Sequence, residues 1–92
     1  MRVALAERFQ RDVRALSETH RLAVLEAMLA LPRAVGTPQL HAGLGIRKLH
    51  AGGIWEVRAG LGLRIVFGLE NDLLTLVRMG SHEEIRRFLR QL

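Results

Sequence analysis

Arginine is the residue type here best suited to chemistry, and three arginines fall where a pleated sheet would align them. Arg58, Arg64 and Arg78 lie in the strand-like runs Ile54-Trp55-Glu56-Val57-Arg58-Ala59, Leu63-Arg64-Ile65-Val66-Phe67 and Leu74-Thr75-Leu76-Val77-Arg78-Met79. Gly60-Leu61-Gly62 separates the first two runs, and Glu70-Asn71-Asp72 the last two. Side chains alternate faces along a strand. A turn centred on Leu61 sets Arg58 opposite Arg64, and one centred on Asn71 sets Arg64 opposite Arg78. Like charges across a sheet repel, so a polyanion is the expected complement of this face. The forked, permanently charged guanidinium suits phosphate. A slip of one residue would move a whole strand's side chains to the other face, so the alignment depends on the two turns.

The composition agrees with an anionic partner. The 92 residues carry 14 Lys+Arg against 9 Asp+Glu, a formal charge of +5, and every cation but Lys48 is arginine. Such a balance points to nucleic acid or an acidic protein, although solvated surface charge gives the same count. The length fits one small domain spanning residues 1–92, and an apolar fraction of 49% argues against global disorder. Cysteine is absent, so no disulfide or thiolate metal site is expected. The four histidines lack metal-ligand spacing, and no metal or cofactor is expected. His20 and His41 read as surface residues, and Trp55 as core. Gly52-Gly53 and Gly60-x-Gly62 read as turn glycines, not as a nucleotide fingerprint. The opening residues do not read as a leader, and no apolar run approaches bilayer length. The cytoplasm is therefore the expected compartment.

The elements that must position the arginines follow from periodicity. Arg2-Val3-Ala4-Leu5 reads as a short strand. Glu7 to Leu16 reads as a helix with Phe9, Val13 and Leu16 on one stripe, and Arg8, Arg11 and Arg14 on the other side. Ser17 is the expected N-cap of a second helix. Leu22, Leu25, Met28 and Leu29 form its expected apolar stripe, and Pro32 its expected stop. The short link predicts a helical hairpin. Arg33 to Leu44 reads as loop because Pro32, Gly36, Pro38 and Gly43 punctuate it. Ile46 to His50 reads as a strand, and Ala51-Gly52-Gly53 as its link to the meander. Ser81 and Glu84 have capping-box spacing before a last helix, Glu83 to about Leu92. The expected architecture is α+β: an N-terminal short strand and helical hairpin packed on a mainly antiparallel four-stranded sheet, with a C-terminal helix. Trp55, Val57, Leu63, Ile65, Phe67, Thr75 and Val77 would face the helices, leaving the arginine face open.

At these residues the chain resembles the RelE/ParE toxin superfamily of type II toxin-antitoxin modules. Val3-Ala4-Leu5-Ala6-Glu7-Arg8-Phe9 with Arg11-Asp12-Val13 resembles the family's opening strand and helix. Arg47-Lys48-Leu49-His50 resembles its K-L-x-G strand, and Trp55-Glu56-Val57-Arg58 its Y-E-I-R strand. Gly62-Leu63-Arg64-Ile65-Val66-Phe67 resembles Y-R-I-I-Y. Arg78-Met79-Gly80-Ser81-His82 resembles the R-x-G-T/S-H ending of the YafQ-like branch. The resemblance covers nearly the whole chain.

It implies a ribosome-dependent, metal-independent mRNA endoribonuclease, an mRNA interferase that inhibits translation, and a cognate antitoxin forming a hetero-oligomer with it. In such a reaction the 2′-hydroxyl attacks the adjacent phosphate. Arginine offsets charge on the phosphorane, and histidine, which titrates near neutrality, transfers protons. The resemblance assigns catalysis to Arg58, Arg64, Arg78 and His82. It assigns RNA contact to Arg47, Lys48, His50 and, by a looser alignment, Phe88. The chain has no tyrosine, where many members carry a late one. Glu56 stands where some ribonucleases carry lysine, and period-2 alternation puts it on the Arg58 face. The superfamily also contains non-enzymatic toxins that bind DNA gyrase. A gyrase binder and an inactive binding module of the same fold are therefore the alternatives.

Overall fold

Two tight turns build the centre of the molecule. In the computed structural model, which describes residues 1–50 and 52–92 with the side chain of His50 excepted, β3 (Ile54–Ala59) pairs antiparallel with β4 (Leu63–Glu70). Ala59 opposes Leu63, so the loop centres on Leu61 and Arg58 faces Arg64. β4 turns into β5 (Leu73–Ser81) through Asn71 and Asp72, whose φ values are 50° and 64°. Positive φ at both positions is what a two-residue hairpin turn of the strands' own twist requires.

That turn starts a register with Glu70 opposite Leu73 and Phe67 opposite Leu76. A bulge then leaves Val77 without a partner, so Val66 opposes Arg78 and Arg64 opposes Gly80. The expected Arg64–Arg78 pair does not form. Arg78 keeps the arginine face but lies diagonal to Arg64. The two-residue turn, in place of one centred on Asn71, brings Leu74 and Leu76 to the helix side, and the bulge then switches parity so that Met79, not Arg78, joins them. Leu74, Leu76 and Met79 enter the core, where Thr75 and Val77 were expected.

The sheet has five strands in the order β1-β5-β4-β3-β2. β1 (Arg2–Leu5) joins it parallel to β5, and β2 (Arg47–His50) closes the other edge antiparallel to β3. On one face lie α1 (Glu7–Arg14) against β5 and α2 (Glu18–Ala34) against β3. Ser17 caps α2 by accepting from the His20 N–H at 3.3 Å. Phe9, Val24, Leu31, Val57, Ile65 and Phe67 are buried between the layers, with Val13, Leu16, Met28, Trp55 and Leu63 packed around them. Trp55 stacks on Phe67 with ring centroids 6.4 Å apart.

α2 differs from its sequence reading in two ways. It runs past Pro32 to Ala34, because proline removes one N–H while its φ remains helical. The Val35 N–H still closes the last turn onto the Leu31 carbonyl at 2.9 Å, and Leu31 and Ala34 are buried. Its inward stripe is Val24, Ala27, Met28, Leu31 and Ala34. Leu22, Leu25 and Leu29 are exposed, Leu29 by 83%. Apolar residues recur at helical spacing on both sides of α2, so spacing alone did not fix its rotation. The segment read as loop contains a 3-10 turn, Pro38–Leu40, and the short helix α3 (His41–Leu44). The Ala51 part of the expected link to the meander lies outside the described residues.

The arginine face is not wholly open. α4 (His82–Arg90) contacts β4 and β5, and alternation puts Val66 on that face, yet Val66 and Ile85 are both buried. Gly80 permits the approach, since a Cβ there would stand 3.1 Å from the Glu84 side chain. Among the described residues, no helix is long and apolar enough to cross a membrane.

Two polar devices fix α1 and α4 to β5. β1 is too short to pair beyond Leu76, and there Asp12 of α1 takes over: its Oδ2 accepts from the Met79 N–H and from Arg78 Nε, each at 3.0 Å. The Arg78 guanidinium also lies 5.3 Å from the Phe88 ring centre on α4, a cation–π distance. At the start of α4, the Ser81 N–H donates to Glu84 Oε1 at 2.9 Å and the Glu84 N–H donates to Ser81 Oγ at 3.2 Å. The backbone bond from Ser81, then its side chain, hold the Glu84 carboxyl below the usual glutamate range; Arg87 adds to this, while desolvation and Asp12 oppose it.

Asp12→Ala strands a half-buried guanidinium and a backbone N–H. It is expected to lower the unfolding free energy by about 2–3 kcal/mol in urea titrations, and Asp12→Asn, which keeps an acceptor, by less. Because the Glu84 carboxyl is depressed in the folded state, its stabilisation is complete above the ordinary glutamate value and fades as pH falls through the folded one. Wild type is expected to lose stability below about pH 4.3 more steeply than Glu84→Gln, read as melting temperature against pH.

Candidate functional site

The part of the sheet face that α4 leaves uncovered forms a cleft of about 440 Å³ lined by His41, Ala42, Gly45, Ile46, Arg47, Glu56, Arg58, Arg64 and His82. Adjacent strands supply the charge. Arg47 opposes Glu56 across β2 and β3, and Arg58 opposes Arg64 across β3 and β4. His82 enters from the first position of α4, directly after the Ser81 cap.

Glu56 organises the arginines. Its side chain is only 5% exposed, its Oε2 is 2.7 Å from Arg47 Nε, and Arg64 Nε stands 3.9 Å from the same oxygen. It is the one buried charged residue among those described. Burying a carboxylate costs free energy unless it is paired and hydrogen-bonded, and the two guanidiniums provide the pairing. Arg64 also donates through Nη1 to its neighbour's carbonyl, Leu63 O, at 3.2 Å.

Arg58 is positioned by α3. Its Nη2 donates to the Gly43 carbonyl at 3.1 Å, at the C-terminal end of that helix. Lone carbonyls at a helix end favour a cation. Gly45 ends α3 with φ 71°, and a Cβ there would come within 2.9 Å of Arg58 Cβ and Nε. Glycine thus satisfies both the backbone and the arginine at that position.

The expected site residues divide into groups. Arg47, Arg58, Arg64 and His82 come together in the cleft. Arg78 and Phe88 pack on each other and line a separate groove with Glu84, Arg87 and Gln91. Lys48 is exposed and opposes Trp55, which puts it on the other face from Arg47. The side chain of His50 lies outside the described residues.

Two contributors were not anticipated in their roles. Glu56 pairs with arginine as alternation requires, but its burial depends on the packing of β2. His41, read as a surface residue, is half-buried and lines the cleft. Its ring meets Trp55 edge-on at 6.0 Å, and its Nε2 lies 2.9 Å from the Ala34 carbonyl. No local pattern signals this, because it takes the turn after α2 to bring His41 back onto Ala34.

Chemically, the cleft offers three guanidiniums for an anion and two imidazoles for proton transfer, with one carboxylate holding two of the guanidiniums and the Gly43 carbonyl the third. The sheet order, the helix pair on one face and the α4 cover on the other define the fold of the RelE/YafQ-like toxins. It recurs in YafQ from E. coli BL21(DE3), which is 19% identical over 92% of this chain and 98% of that one, with a TM-score of 0.72. It recurs in a toxin variant from Helicobacter pylori at 22% identity, 92% and 98% coverage and a TM-score of 0.68. The RelE–RelB complex from Pyrococcus horikoshii OT3 shares it at 16% identity, 87% and 92% coverage and a TM-score of 0.69. No protein-family model matches the sequence, and no curated protein does. At these identities the likeness is one of fold.

Removing the negative charge of Glu56 frees Arg47 and Arg64. Glu56→Gln is expected to bind inorganic phosphate or single-stranded RNA more tightly than wild type, by calorimetry or filter binding. The same variant is expected to melt at a lower temperature, since its buried side chain no longer carries the charge that pairs both arginines.

Proposed function

We propose that this chain is the toxin of a type II toxin-antitoxin pair and that it cleaves mRNA on the ribosome without a metal ion. The observation that carries this reading is the meeting of Arg58, Arg64, Arg47 and His82 in one cleft of a RelE/YafQ-like fold. Arg58 and Arg64, on neighbouring strands, hold and neutralise the scissile phosphate, and the developing phosphorane draws more from them than the ground state does. His82 transfers a proton. Arg47, on the rim and 63% exposed at its side chain, guides the strand of RNA, whereas Lys48, on the other face of the same edge strand, would meet RNA only outside the cleft. Arg78 acts from behind, fixing α1 and α4, and so His82, against β5.

The partner is a cognate antitoxin, as in the DinJ–YafQ and RelB–RelE complexes of E. coli that share the fold. The exposed leucines of α2 support a protein partner on that side as well, because an apolar row in water favours burial. The cytoplasm, where mRNA and ribosomes are, is the compartment this function requires.

The test is inducible expression of wild type, His82→Ala and Arg64→Ala, with transcripts mapped by primer extension and protein and DNA synthesis followed in parallel. Wild type is expected to arrest growth with protein synthesis failing first and transcripts cut. In purified cleavage assays His82→Ala should lose about 10²–10⁴-fold and Arg64→Ala about 10²–10³-fold. Arrest with intact transcripts and failing DNA synthesis would instead identify a gyrase-type binder. Unimpaired growth would leave a binding module.

A further inference from the structure

We infer that His41 is the general base of the cleft, and that His82 is accordingly its acid. The inference rests on the RNA-cleaving reading above and adds a residue to it. A backbone carbonyl only accepts hydrogen bonds, so the 2.9 Å contact between His41 Nε2 and the Ala34 carbonyl places the proton on Nε2. The carbonyl lies in the last turn of α2, where the helix leaves its acceptors unsatisfied, and it also accepts the Thr37 N–H at 3.0 Å. The neutral ring therefore carries its lone pair on Nδ1, which has no protein partner among the described residues.

The ring's other surroundings are fixed. Trp55 meets it edge-on, and Val35 and Leu69 line a small apolar space beside it. Its remaining side borders the cleft that holds Arg58, Arg64 and His82. An imidazole with one nitrogen tied to an orienting acceptor and the other left basic is the arrangement a general base needs. His41 comes from α3, and His82 from the start of α4, so separate elements bring the two imidazoles to the same anion pocket.

In the reaction, Nδ1 of His41 takes the proton of the 2′-hydroxyl as O2′ attacks phosphorus. The P–O5′ bond breaks with its electron pair leaving on O5′, and His82, as the imidazolium, supplies the proton that O5′ takes up. The products are a 2′,3′-cyclic phosphate and a free 5′-hydroxyl. Arg58 and Arg64 stay cationic throughout.

His41→Gln is the informative variant, because its amide N–H2 can still donate to the Ala34 carbonyl but accepts no proton. Single-turnover cleavage is measured on ribosome-bound mRNA with either oxygen or sulfur bridging phosphorus and the 5′-carbon at the scissile position. A thiolate leaves without needing an acid. The sulfur substrate is expected to restore most of the His82→Ala loss. For His41→Gln a rate loss of about 10²–10⁴-fold, with KM little changed, should persist on both substrates. A His41→Gln rate near wild type, or a loss repaired by sulfur, overturns the assignment. So does a nitrogen NMR spectrum of the wild-type protein showing the neutral His41 protonated on Nδ1. Wild type cutting neither substrate would remove the RNA-cleaving reading itself, and the role of His41 with it.

Discussion

One residue without a partner sets the plan of this molecule. Val77 is the extra residue of the β5 bulge, and on either side of it the strand presents opposite parities to the same sheet. Before the bulge, Leu74 and Leu76 face the helices; after it, Met79 does, and Arg78 and Gly80 take the other face. Had the strand kept one parity throughout, Met79 and Arg78 would have exchanged faces, with the guanidinium set among Phe9, Ile65 and Phe67. The cost of ionic burial in such a core makes that register untenable. The bulge lets one strand complete an apolar core at its start and a charged face at its end.

Once Arg78 is on that face, the arginines acquire different duties. Asp12 and Phe88 occupy Arg78, which becomes the junction of α1, β5 and α4. Arg58 is turned toward the end of α3, and Arg64 shares the Glu56 oxygen with Arg47. These anchors restrict long side chains whose free rotation would otherwise oppose ligand binding. A cleft of repelling cations is thus held together from within, because a single carboxylate lies between Arg47 and Arg64. The same carboxylate moderates the field an incoming anion meets.

Much of this was legible in the residues themselves. The strand runs, the Leu61-centred turn, the Ser17 cap and the Ser81–Glu84 box are local features with local causes, and each stands where periodicity and capping chemistry put it. The bulge was not legible, since no glycine or proline marks Val77 and it is the packing of Leu76 and Met79 that demands it. Nor was the rotation of α2, because leucines line both sides of that helix. No local sign showed that Asp12, 66 positions away, would reach Arg78. His41 was similarly hidden: its meaning comes from the carbonyl it touches. Contacts distant in sequence, not local preferences, decided the site.

The parallel union of β1 with β5 bears on how the chain comes into being. Arg2 pairs with Leu73, and Leu5 with Leu76, so the first strand waits for the last one to emerge during synthesis. Until then the edge that β5 will fill presents open hydrogen-bonding groups on β4, and α1 lacks the strand whose N–H its Asp12 receives. Pairings this far apart slow folding, because chain entropy is lost well before contacts repay it. The helix pair and the β3–β4 hairpin, both local, can form early; the charged cleft is assembled only when the final quarter of the chain, with β5 and α4, is in place. The arginine cleft therefore cannot assemble on a nascent chain before β5 and α4 have been made.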